Sequence, residues 1–262
     1  MTSTYIKKRI RATTSFAGIV IALLVWVIAE DARLLPRSEF PSLSSTASAF
    51  LAQFQSASFV SALAATLSTW AVGLAVALAI SLLIGSFLGS SARAFRSSWL
   101  IVEFLKPIPP VALIPLALLL YGTSFWMPTG LIIFGTVWPL LVHVIAGIRG
   151  VDPVALDSSR AYRLTRRHTL RYLILPSVLP SLMTGLRIAG SLGLAIAVTA
   201  ELIGGSTGLG NFVALDESAS KYAPMYAVII FTGLIGIAIN SLFKFLSRKI
   251  VPWHHERFGA SL

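Results

Sequence analysis

Residues 149–176 read RGVDPVALDSSRAYRLTRRHTLRYLILP and hold six arginines and two aspartates. Residues 128–147 before them carry no Asp, Glu, Lys or Arg, and residues 179–203 after them carry only Arg187 and Glu201. A bilayer-crossing helix needs about 20 mostly apolar residues, so each flank is long enough to span. A basic segment between two spans is a loop of a polytopic membrane protein. Asp152 followed by Pro153 starts a helix, because the carboxylate accepts from orphan N–H groups and proline suits the first helical position. The pattern predicts a short helix over 153–162, and Thr165 caps a second over 166–173 before Pro176 returns the chain to the membrane. The loop is two short helices rather than a linker.

Outward from this loop, the uncharged runs predict four more crossings. Residues 40–92 carry no charge, and their apolar density supports a span over 63–89. A third span is expected over 99–121, a sixth over 222–243, and a first over 12–29, retained because no small-residue cleavage site follows Ala29. Residues 30–58 are too polar and too interrupted to cross, with 50–59 suited to the interface. The predicted fold class is all-α, with six spanning helices. Sixteen of the 21 Lys and Arg fall in the N-terminus, the 93–96 turn, the 149–171 loop and the C-terminal tail. By the positive-inside rule both termini are cytoplasmic.

Composition agrees. The chain has 262 residues, 56% hydrophobic and 12% charged, with a mean hydropathy of +0.82; charge is at about half the usual share of soluble domains. A net charge of +11 could suggest nucleic acid, but the basic residues alternate with apolar runs instead of sharing one water-exposed face, so no nucleic-acid partner is expected. The absence of cysteine excludes disulfides, thiolate metal sites and cysteine nucleophiles. His254 and His255 fit a solvated tail better than a metal site. No metal or cofactor is predicted.

Within the loop, Asp157, Ser158, Ser159 and Ala161 are short side chains that let another protein approach the backbone, while Arg160 and Arg163 suit an acidic rim. Read from the residues alone, the arginines fit anionic lipid headgroups equally well. The order of cap, small-residue helix, turn, second helix and Leu175–Pro176 is what the lipid reading leaves unexplained. That order resembles the EAA loop of ABC-importer permeases. The stretch from Val151 to Arg187, with KPIPPVALIPLALLLYG upstream and VTAELIGGSTGLG downstream, is similar to the permeases of the nitrate, sulfonate and taurine group. The likeness covers roughly residues 57–247. It differs in Asp157 for the usual Glu, Ser159 for the second Ala, and Arg163 for the Gly that ends the first helix.

The resemblance implies a type I ABC importer permease fold, a transmembrane domain over 57–247 between an N-terminal part (1–56) and a cytoplasmic tail (248–262), and residence in a bacterial-type cell (inner) membrane. It implies that Asp157, Ser158, Ser159, Arg160, Ala161 and Arg163 form a coupling helix docking into a cytoplasmic ATP-binding subunit. It also implies an extracytoplasmic solute-binding protein and a homodimer of permeases with the path between them. The solute would be a small oxyanion such as an alkanesulfonate, taurine or nitrate, although neighbouring families carry pyrimidines or flavins. No nucleotide-binding motif occurs, so the chain is not expected to be an enzyme, and ATP hydrolysis belongs to another chain.

Charge within a span is costly and marks a functional candidate. Glu103 and Lys106, three apart, suit a local ion pair. Arg187 could face an anion path or satisfy interhelical carbonyls, and Glu201 could brace an extracytoplasmic gate. Pro107, Pro109, Pro110 and Pro115 mark a bend in the third span. His143 suits an interhelical donor. The alternative function is an ion-coupled secondary transporter, which requires inverted repeats that the two halves do not display. An intramembrane serine enzyme would need a serine against His143, and the sequence sets none there.

Overall fold

The computed structural model describes residues 39–253 throughout and, before them, residues 18, 20, 21, 24–30, 32 and 36. The predicted first span therefore lies largely outside the described residues, as do His254 and His255; residues 24–30 of it are helical. Every regular element among the described residues is helical: α1 (Leu43–Gln53), α2 (Ala57–Ser90), α3 (Ala92–Leu105), α4 (Ile114–Tyr121), α5 (Trp126–Arg149), α6 (Pro153–Ala161), α7 (Arg166–Gly204), α8 (Leu209–Ser218) and α9 (Tyr222–Ile250). Four of these, α2, α5, α7 and α9, are long and apolar enough to cross a membrane, and a fifth crossing is available if α3 and α4 form one span.

The third span, expected over 99–121 with a bend at its prolines, is broken there. α3 and α4 meet at a 77° bend, with a 3-10 turn, Pro110–Leu113, between them. Pro107, Pro109 and Pro110 remove three of four successive opportunities for an i→i−4 bond, and their rings clash with the carbonyls a turn back. Lys106 Nζ lies 2.9 Å from Glu103 Oε1 just before the bend, the local ion pair that their spacing predicts. At the other end of α3, the Arg149 guanidinium sits 3.8 Å over the Phe95 ring and holds this helix against α5.

The bundle is organised by small residues. Ser81, Gly85 and Gly89 recur every four residues on α2 and lie on one face. The structure supplies their partner, which is α5: Ser81 Oγ donates to Val137 O at 3.0 Å, and a methyl on Gly85 would stand 2.7 Å from Val144 Cγ1. Backbones thus approach closely enough to exchange dispersion contacts along most of their length. Similarly, Trp70 Nε1 on α2 donates to Gly190 O on α7 at 2.8 Å, and Phe243 of α9 packs where Gly190 lacks a side chain.

Two short helices were not legible in the sequence. α1 occupies part of the polar 30–58 connection and ends before the 50–59 interface segment does. Ser42 caps it by accepting from Ser45 N at 3.1 Å, and Glu30 Oε2 accepts from Leu43 N at 3.2 Å. Trp26, Phe40 and Tyr226 pack beside it in tilted and edge-to-face contacts, with ring centroids 5.1 to 6.0 Å apart, and join the end of the first helix to the start of α9. The second helix is α8, which packs on α7.

Candidate functional site

The loop helix α6 forms where its cap predicts. Asp152 Oδ1 accepts from Val154 N at 2.9 Å, and Pro153 occupies the first helical position. Its C-terminal end is a Schellman turn built on an arginine. Leu164 N donates to Ser159 O at 3.0 Å and Arg163 N to Arg160 O at 2.9 Å, with Arg163 at φ 52°. Those two bonds satisfy carbonyls that the helix end would leave orphaned, and they hold a non-glycine residue in the left-handed region. Arg163 therefore adopts the conformation a glycine would take, with the local strain of a Cβ there.

Asp157, Ser158, Arg160, Ala161 and Arg163 are exposed together, whereas Ser159 is turned inward. The Ser159 hydroxyl donates to Leu156 O at 2.7 Å, so the short-side-chain surface expected to include it is formed without it. Arg160 Nη1 reaches back to Asp157 Oδ1 at 3.0 Å, an exposed i,i+3 pair. The same surface carries apolar residues: Val154 is 70% and Tyr162 82% exposed. Small, apolar and charged groups thus share one face outside the long helices.

The second loop helix is not separate. Thr165 caps it at His168 N, but the helix then continues through a π-helical turn, Leu170–Ile174, into the long membrane helix. Leu175 N donates to Leu170 O, five residues back. The widened turn ends just before Pro176, whose missing N–H and bulky ring strain a regular turn. α7 is consequently one continuous element of 39 residues from the loop to Gly204.

The two charges within the membrane part of α7, Arg187 and Glu201, differ in exposure. Glu201 is fully buried and brings three helices together. Thr66 Oγ1 of α2 donates to Glu201 Oε2 at 2.8 Å and accepts from Leu209 N at 2.8 Å. Gly210 N donates to Glu201 Oε2 at 3.1 Å. Gly208 precedes α8 and has no side chain to cap it; a Cβ there would collide with the Glu201 carboxyl. The first two N–H groups of α8 are thus satisfied by residues from two other helices, with a carboxyl at the positive end of the helix dipole. Arg187, by contrast, is exposed, and neither an acidic group nor a carbonyl among the described residues pairs with it. Asp216 on α8, which sequence reasoning passed over, is half-buried with Oδ2 unpartnered; burial pushes its carboxyl above the usual range and the charge of Lys221 opposes that.

His143 on α5 faces Ser181 on α7, a pairing that the sequence did not suggest. Ser181 Oγ donates to His143 O at 2.8 Å and lies 3.2 Å from His143 Nδ1. The serine's one proton goes to the carbonyl, so the imidazole is the donor to the hydroxyl, the opposite of what base activation of a nucleophile requires. The pair is an interhelical clasp. It lines an open recess of about 350 Å³ with Gly147, Gly150, Ser177 and Thr184. No group of three or more His, Cys, Asp or Glu that could hold a metal occurs among the described residues.

Helices tied by glycine contacts, a span broken at prolines and an exposed loop helix are the features to set beside known proteins. The family model described as "Binding-protein-dependent transport system inner membrane component" matches residues 79–252. The chain belongs to that family. This inner membrane component is 27% identical over 190 residues to a nitrate import permease protein of Leptolyngbya laminosa, covering 72% of this chain and 68% of the relative. It is 32% identical over 164 residues to a taurine transport system permease protein of Escherichia coli (strain K12), covering 60% of this chain and 57% of the relative. A chain of the MetNI methionine ABC transporter in an inward-facing conformation shares its fold with a TM-score of 0.63 at 20% identity, over 74% of this chain and 96% of that one.

Proposed function

We propose that this inner membrane component is the permease subunit of an ATP-driven importer. It receives a small solute from an extracytoplasmic binding protein and works with a cytoplasmic ATP-binding subunit that supplies the hydrolysis. Two copies form the path between them, and each contributes six spans, the first being residues 12–29. The transporter domain is residues 57–247, with 1–56 and 248–262 flanking it and both termini cytoplasmic. A small oxyanion such as an alkanesulfonate, taurine or nitrate is the solute; relatives named for nitrate and taurine import support that class.

The observation that carries this reading is α6. A helix outside the long spans, with Val154 and Tyr162 exposed beside Ala161 and an Asp157–Arg160 pair, has a surface that needs cover by protein. Lipid headgroups would bind the arginines but would not cover the apolar residues. α7 runs without a break from the end of this loop into the membrane, so a push on α6 reaches the span through a continuous helix. The basic residues beyond it, Arg166, Arg167 and Arg171, hold the start of α7 at the anionic membrane surface.

The test is copurification. Wild-type chain solubilised from membranes should bring down a subunit with nucleotide-binding motifs, and Asp157→Arg or Ala161→Trp should lose it while remaining inserted. Retention of the ATP-binding subunit by both variants would remove α6 from the interface.

A further inference from the structure

Arg187 is the charge that the reading above leaves without a role. It lies eight residues into the span expected over 179–203, about 12 Å along the helix at 1.5 Å per residue. The hydrocarbon core is about 30 Å thick, so this position falls inside it, about two turns from the loop end of the span. Lys and Arg near span ends reach the interface by extending their stems; one at this depth does not. It is exposed, and no carboxylate, hydroxyl or carbonyl among the described residues accepts from it. Such a group faces either water or a second copy of the chain.

Its neighbours distinguish this face from those turned to lipid. Thr184, Arg187 and Ser191 are all exposed and fall within an arc of about 60° on the helix. α2 exposes Leu83, Ile84 and Phe87, and α3 exposes Leu100, Ile101 and Phe104. The polar arc also continues into the recess beside His143, because Thr184 lines both. Within the recess the hydroxyl protons are already committed: Ser177 donates to Leu173 O at 2.7 Å, Ser181 to His143 O at 2.8 Å and Thr184 to Pro180 O at 3.1 Å. These oxygens present lone pairs, which repel an anion. Arg187 and the unpartnered Ser191 hydroxyl are the donors on this face, and the one carboxyl of α7, Glu201, is fully buried further along the helix.

We propose that Arg187, with Ser191, is the anion-stabilising station of the translocation path within the membrane, and the residue through which the permease itself selects negative solutes. This rests on the importer reading for the existence of the path. The planar guanidinium presents two parallel N–H donors to two oxygens of a sulfonate, nitrate or carboxylate, and its charge replaces part of the hydration that the anion leaves behind. In a two-copy assembly a pair of such groups would flank the path. A binding protein then sets which anion arrives, and Arg187 sets that it is an anion.

The cysteine-free chain allows a test that needs no identified solute. Ser191→Cys is introduced into the assembled transporter in membrane vesicles and treated with methanethiosulfonates carrying either a sulfonate or a trimethylammonium group, with each rate normalised to that of a free thiol. The sulfonate reagent should react about tenfold faster than the ammonium reagent, since a focused field raises the local concentration of counter-ions by that order. Adding Arg187→Gln should abolish the preference and Arg187→Lys should keep most of it. Leu83→Cys, on the lipid-facing side, should react with neither. Equal normalised rates with Arg187 present, or no reaction at Ser191→Cys, would overturn the proposal. Copurification of the ATP-binding subunit, measured on the same membranes, reports separately on the importer reading.

Discussion

Thr66 on α2 and Glu201 on α7 are 135 residues apart in sequence and joined by a 2.8 Å hydrogen bond with no exposure to solvent. Through Leu209 N and Gly210 N the same two side chains hold the start of α8. The bond is a clip between two spanning helices and a short helix.

Removing the clip has a graded outcome. Glu201→Ala leaves Gly210 N–H buried without an acceptor, which costs roughly 1–3 kcal/mol. Glu201→Gln keeps an oxygen in place of Oε2 and directs its amide towards the position of Oε1, which has no partner, so it should lose less. Thermal unfolding in detergent should rank wild type above Gln and Gln above Ala.

Gly208 and Glu201 should be coupled. A methyl at 208 would enter the space of the Glu201 carboxyl, an overpacking cost of about 1–3 kcal/mol. In a Glu201→Ala background that clash is gone. A double-mutant cycle on Gly208→Ala and Glu201→Ala should therefore give a coupling energy of about 0.5–3 kcal/mol, and additive effects would show that the two do not touch.

The α2–α5 seam should fail at Gly85. Its missing side chain is matched to Val144, and Gly85→Val should destabilise by roughly 1–3 kcal/mol, with Val144→Ala in the same chain recovering part of the loss. Unfolding of the single and double variants gives the comparison.

Arg163 should tolerate glycine better than arginine. Its φ of 52° favours a residue without Cβ, and Arg163→Gly should stabilise the loop by up to about 1 kcal/mol after the extra chain entropy of glycine is counted. Slower amide exchange at Leu164 N–H, which closes the turn, would register this locally; Arg163→Val should speed it.

The long spans were legible in the sequence because a bilayer imposes length and apolarity together. The starts of α6 and α7 were legible because Asp152, Pro153 and Thr165 act locally on their own backbone. The elements that escaped depend on partners distant in the chain. α8 begins at glycines and is capped by Thr66 and Glu201 from other helices, so no local signal announces it. The inward turn of Ser159 is a fact of packing rather than of spacing. The prolines at 107, 109 and 110 marked a bend, but its 77° angle follows from what surrounds it. Pro176 suggested a break where a π-helical turn precedes the ring and the helix runs on. The partner of the Ser81–Gly85–Gly89 row could be any helix until Val144 was found against it.

The most direct measurement on the importer account is a cross-link from α6. A single Ser158→Cys in the cysteine-free chain, treated in native membranes with a short thiol-to-amine reagent, should give one adduct whose added mass and peptides are those of an ATP-binding subunit, while Leu100→Cys on α3 gives none. Ser158→Cys adducts confined to lipid, or none above the Leu100→Cys background, would contradict the account and leave α6 as a basic surface helix without a motor.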